Sequence, residues 1–158
     1  MKLRNLLLSL FAGLGASTVH LVLMELKHRT GILPAFDPYA DLQRMLSSFP
    51  SIALEAPWSW LLPYVNGAML LGFLFGQSFP YLPGRTAWAR GAVFGLLAWL
   101  VLGLGMLPLV GSGIFAGNLG LGIVPALLML AMLSVYGVAV SLLYGWLIKP
   151  ATKSHNSG

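Results

Sequence analysis

Between Arg90 and Lys149 the chain contains no Asp, Glu, Lys, Arg or His. Two apolar segments, 91–110 and 122–148, are joined there by the Gly-rich link 111–121. A helix of a water-soluble domain keeps one polar face, and neither segment has one. Each is long enough to cross the ~30 Å of bilayer hydrocarbon as a helix. The run reads as a transmembrane hairpin, and the rest of the chain has to fold around it.

Composition points the same way. The sequence is 58% hydrophobic and 8% charged, where soluble domains carry roughly 25% charge. Its 158 residues suit one transmembrane domain, 1–150, followed by a flexible tail, 151–158. The net charge of +5 comes from nine Lys and Arg against four Asp and Glu. These cations sit at helix ends, where they set orientation and meet anionic head groups, so nucleic acid is not the expected partner. The absence of cysteine excludes disulfides, Cys-based zinc sites and thiol chemistry.

In chain order, the first span is expected over 5–26, after Lys2 and Arg4. This basic start resembles a signal peptide, with Gly15-Ala16-Ser17 as small residues near a cleavage site. The apolar run nevertheless continues through Met24, beyond the roughly 7–15 residues of a signal h-region, which favours a retained span. Lys27-His28-Arg29-Thr30-Gly31 supplies the cations and glycine of a helix C-terminus. The outer loop, 27–60, is the only sizeable polar region. Within it Asp37-Pro38 reads as an N-cap with proline in the first turn. A short helix over 38–49 would set Tyr39, Leu42, Leu46 and Phe49 on one face. Flanked by Phe36, Trp58 and Trp60, it suits the membrane interface; it equally suits a loop helix packed on the spans, and the two placements are not exclusive. The second span is expected over 61–79, leading into the basic turn Pro83-Gly84-Arg85. The fold class is therefore all-α: a four-helix transmembrane bundle with an interfacial helix in the first loop.

Orientation follows from the cations. One side holds Lys2, Arg4, Arg85, Arg90, Lys149 and Lys153; the other holds Lys27, Arg29 and Arg44 beside Glu25, Asp37, Asp41 and Glu55. The positive-inside rule then puts both termini in the cytoplasm and the outer loop and Gly-rich link outside.

Small residues mark the expected helix contacts. Gly72 and Gly76, Gly91 and Gly95, and Gly137, Ser141 and Gly145 each have small-xxx-small spacing, which lets backbones approach closely. Asn66-Gly67…Phe75-Gly76 also weakly resembles Tyr136-Gly137…Tyr144-Gly145, hinting at two related hairpins.

His20 is the sharpest candidate for chemistry, because ionisable groups inside a membrane are costly and often functional. With Met24 and His28 it lies on one helix face (i, i+4, i+8), a set that offers nitrogen and sulfur to haem iron or copper. The plainer alternative is a neutral His20 bonded to a nearby hydroxyl or carbonyl, with His28 at the interface. Glu25 is expected to pair with Lys27, His28 or Arg29, or to relay protons with His20. Asn66, Gln77, Tyr136 and Tyr144 are the remaining polar groups at depth, and interhelical hydrogen bonds account for them. No nucleophile–base set, phosphate loop or metal-spacing motif is present, so the chain is not expected to be an enzyme.

Several motifs carry a resemblance: Gly31-Ile32-Leu33-Pro34-Ala35-Phe36-Asp37, Leu82-Pro83-Gly84, the string from Gly91 to Leu100, the string from Met106 to Phe115, and Tyr136-Gly137…Tyr144-Gly145. Together they resemble a family of small bacterial four-span inner-membrane proteins of unknown function. That family often has a histidine shortly before the glycine of spans two and four, where this chain has Pro63 and Ser134. The resemblance implies a bacterial inner-membrane location and no particular activity. A non-catalytic accessory or structural subunit is the leading expectation, with lipid and other membrane subunits, or a second copy, as partners. The alternatives are a small oligomeric transporter or channel and a haem- or copper-binding protein using His20.

Overall fold

A computed structural model describes residues 3–47 and 61–148, without the side chains of Leu62 and Pro63. The described residues are helical and contain no strand. Helix α1 spans Leu3–Thr30 and α2 Pro38–Ser47. A second long helix, 61–78, is built from α3 (Leu61–Tyr64), a π-helical stretch Val65–Gly72, and α4 (Phe73–Ser78). The third comprises α5 (Ala87–Val101), a π-helical stretch Leu102–Met106 and α6 (Leu107–Leu109). A 3₁₀ helix Ile114–Leu119 lies in the Gly-rich link, and α7 (Val124–Ile148) closes the chain. Leu3–Thr30, Ala87–Leu109 and Val124–Ile148 are long and apolar enough to cross a membrane. Helix 61–78 is shorter and carries Asn66 and Gln77.

The helix boundaries follow local chemistry. Gly31 ends α1 at φ 67, a left-handed conformation that glycine adopts without a Cβ clash. Asp37 Oδ1 accepts from the Ala40 amide at 3.0 Å and Thr86 Oγ1 from the Ala89 amide at 3.2 Å, capping α2 and α5. Pro38 opens α2, as expected. The expected helix 38–49 is described over its first ten residues. The described helix ends at Ser47, and Phe49, Glu55, Trp58 and Trp60 lie outside the described residues, as do Lys2, Lys149, Lys153 and the tail 151–158.

Successive long helices run antiparallel, with helix 61–78 packed on α1, α1 on α7, and α7 on α5. Along α1, the backbones of Ser9 and Gly13 meet Gly72 and the backbone of Gly13 meets Ala68. The stripe Ser9, Ala12, Gly13, Ala16 and Ser17 is buried there. Residues 13, 16 and 17, read from sequence partly as a cleavage region, thus form a helix contact. On the opposite flank, Gly91 meets Gly137 and Val138, while Gly95 meets Leu133 and Ser134. A Cβ built on Gly91 would stand 2.5 Å from the Gly137 carbonyl oxygen, and one on Gly95 2.6 Å from that of Leu133. Nothing larger than glycine fits there. Gly72 and Gly76 are buried too, and Ser141 is fully buried in the α7 face. Gly145 departs from the expected pattern: a Cβ added there would meet nothing within 4 Å.

An aromatic cluster locks one end of the bundle. Phe75 stands edge-on to Phe94 at 5.1 Å and to Tyr144 at 5.7 Å, and Phe79 meets Tyr144 at 4.9 Å. Beside it Arg90 lies over the Phe79 ring at 4.9 Å and donates from Nε to the Gly84 carbonyl at 3.0 Å. Toward the other end, Trp99 donates from its indole nitrogen to the Ala126 carbonyl at 2.9 Å. Outward, the bundle shows large apolar side chains such as Phe11, Val22, Met69, Val101 and Trp146. A surface this apolar suits lipid far better than water.

Candidate functional site: a capped cavity inside the bundle

The weak likeness between 66–76 and 136–145 becomes a contact in three dimensions. Tyr136 donates its hydroxyl to the Gly67 carbonyl, and one end of each segment meets again where Phe75 touches Tyr144. Helix 61–78 and α7 therefore run parallel. Where they diverge, a cavity of about 50 Å³ opens, bounded also by α1, by the third helix and by α2. That is room for a few water-sized molecules.

Its polar side is formed by Ser17, His20, Tyr39, Asn66 and Tyr136. The His20 ring stands edge-on between Tyr39 (6.1 Å) and Tyr136 (6.4 Å). Its Nδ1 is buried with no hydrogen-bond partner. Ser17 donates to its own helix, at the Gly13 carbonyl. The apolar side includes Met24, Phe36, Leu71, Leu102, Met106, Leu107, Met129, Met132 and Leu133. Both π-helical stretches border the cavity, through Asn66, Gly67 and Leu71 on one and Leu102 and Met106 on the other. A π turn widens a helix by one residue and shifts side chains out of α-helical register. Such turns concentrate at functional sites.

The first loop forms the roof. α2 brings Pro38 and Tyr39 over the cavity. Burial pushes the Tyr39 phenol above its usual range, so the group stays protonated as a hydrogen-bond donor. Three contacts tie the roof down. Lys27, buried near the end of α1, donates from Nζ to the Phe36 carbonyl at 2.6 Å. Ser112 in the Gly-rich link donates to the buried Asp41 at 2.9 Å. His28 Nε2 stands 3.5 Å from Asp37. Arg44 adds an ion pair to Asp41. Of the two placements considered for the 38–49 helix, this is packing on the spans, although Leu42 still borders an apolar groove with Val65, Met69 and Leu70.

The candidates named from sequence separate into two groups. His20, Met24, Asn66 and Tyr136 meet at the cavity. His28 does not: it turns to Asp37 and is about half exposed. Glu25 pairs with Arg29 at 2.7 Å on an exposed face, which is one of the local partners expected for it and leaves it no relay with His20. Gln77 is exposed near the end of its helix and does not line the cavity. Tyr144 belongs to the aromatic cluster. The sequence reading missed Ser17, Tyr39, Met106, Met129 and Met132. Met129 and Met132, at i and i+3, do share a helical face. Nothing local, however, says that this face meets Met24 and Met106. The cavity is also far smaller than a haem macrocycle. Among the described residues, no cluster of three His, Asp or Glu side chains is placed to hold a metal.

Fold and site define an all-helical protein with membrane-length apolar helices around a largely apolar cavity that has one polar side. The chain belongs to the family described as "Family of unknown function (DUF6789)", whose match runs over residues 3–155. The resemblance to an uncharacterised family read from its motifs is borne out to that extent. No curated protein and no solved structure matches the chain.

Proposed function

We propose that this chain is a four-span protein of the bacterial inner membrane, with both termini cytoplasmic, that acts without catalysis by holding a small ligand in the capped cavity. One observation carries the reading: both π-helical stretches and His20, whose buried Nδ1 has no hydrogen-bond partner, border one cavity. An unsatisfied buried polar atom costs about 1–3 kcal/mol, a cost that a bound ligand at His20 would relieve.

An accessory role in the membrane is compatible with this, but its original support has shifted. The small-residue faces at Gly72, Gly91, Gly95 and Gly137 are filled within the chain and so are not free to dock on a larger complex. Gly145, beside the exposed Trp146, is the one of these positions left open to a neighbouring subunit. Helix 61–78 counts as a span in this reading because it joins the ends of two helices that are themselves long enough to cross.

Native mass spectrometry of the protein, released from its own membrane in mild detergent, tests the binding role. The expected result is a small bound species present in wild type and absent in Met129→Phe, whose ring extends into the cavity. A bare chain carrying nothing but lipid would overturn it.

A further inference from the structure

Of the chain's seven methionines, four line the cavity: Met24, Met106, Met129 and Met132. They come from three different helices. His20 lies one helical turn before Met24, and its Nδ1 has no partner. Methionine often fills irregular gaps in cores, which accounts for thioethers in such a place. It does not account for a bare imidazole lone pair among them. Soft thioether sulfur together with imidazole nitrogen is the donor set that favours Cu(I). Hard cations prefer carboxylates, and no carboxylate lines this space. A single positive charge is also the least costly to hold at low dielectric.

We propose that the cavity is a Cu(I) site, with His20 Nδ1 and thioether sulfurs of Met24, Met106, Met129 and Met132 as the donors. This rests on the reading of the cavity as the ligand-holding part of the protein and names its ligand. His20 Nδ1 gains a partner, and donors from three helices tie those helices together when the ion is bound. α2 excludes water from the outer side, which protects Cu(I) from oxidation and from competing ligands.

The test is an anaerobic titration of the purified, metal-free full-length protein with Cu(I) against bicinchoninate, whose copper complex is coloured. Wild type is expected to withdraw one equivalent from the chelator and to melt at higher temperature when loaded. His20→Ala and the double variant Met129→Leu/Met132→Leu should each weaken retention at least about ten-fold. Leucine is close to methionine in volume, so the double variant keeps the metal-free melting temperature. Met69→Leu, at an exposed outward position, should bind as wild type does. Unchanged chelator colour with wild type, or wild-type retention by the double variant, overturns the proposal. If mass spectrometry then finds an organic molecule in the cavity, copper alone is rejected and the binding role stands. If it finds neither, both fall.

Discussion

Ser112 donates its hydroxyl to Asp41 across 2.9 Å, and both residues are buried. Two long helices separate them in sequence, so the loop after α1 and the link before α7 lie at the same end of the bundle. The turn around Gly84 lies at the other end, beside Phe79 and Arg90. This pairing also fixes the roof of the cavity to the helices beneath it.

A topology experiment follows from that shared end. The natural chain has no cysteine, so single substitutions label cleanly. Ile32→Cys and Ile114→Cys, both at exposed positions, should react with an impermeant maleimide from outside the cell. Tyr81→Cys should react only after the membrane is opened. If Ile32→Cys and Ile114→Cys label from opposite sides, helix 61–78 does not cross the membrane and the four-span reading fails.

The roof contact should be energetically coupled. Asp41→Ala also removes the Arg44 ion pair, so a single variant overstates the bond to Ser112. A double-mutant cycle with Ser112→Ala isolates it. For a buried hydrogen bond to a carboxylate, a coupling of about 1–2 kcal/mol is expected in thermal or denaturant unfolding. Strict additivity of the two substitutions would show that the bond does not hold α2 in place.

The glycine face offers a contrast with a built-in control. Gly91→Ala puts a methyl 2.5 Å from the Gly137 carbonyl oxygen, with the Val138 backbone at 2.6 Å, and backbone cannot yield as a side chain does. A loss of about 1–3 kcal/mol, the scale of overpacking, is the minimum expected. Gly137→Leu, facing Gly95 at the same contact, should disrupt the bundle outright. Gly145→Ala meets open space and should melt with wild type. Equal melting temperatures for Gly91→Ala and Gly145→Ala would refute the α5–α7 packing.

Tyr136→Phe removes the hydroxyl that pairs with the Gly67 carbonyl inside a π-helical stretch. The ring and its stacking on His20 remain. Interhelical hydrogen bonds in membranes are worth about 0.6–1.7 kcal/mol, and a loss in that range is expected. Hydrogen exchange should quicken within 65–72 more than elsewhere in the chain. Uniform exchange along the four helices would show that the bond does not support the π stretch.

The readable part of the site was the part carried by single residues. His20 stood out because an ionisable group is rare in an apolar helix, and Asn66 and Tyr136 for similar reasons. Met106, Met129 and Met132 gave no such signal, since an apolar side chain in a span is unremarkable wherever it points. Gln77 is absent from the cavity for the opposite reason: its place on the helix was legible, but not which face of that helix the cavity would meet.

The sequence by itself determined the apolar helices, their capped starts and glycine stops, and the tight α5–α7 seam. Each of these depends on neighbours within a few residues: hydropathy over a helix length, an Asp or Thr before a first turn, small residues four apart. Tertiary structure alone decided the widening of two helices into π turns, the meeting of Tyr136 with Gly67 and the closing of α2 by Asp41 and Ser112. Those depend on which helix faces which, and that is settled by all the packing surfaces at once. The cavity around His20 is a product of that second kind: its residues are written in five separate stretches, and only folding brings them together.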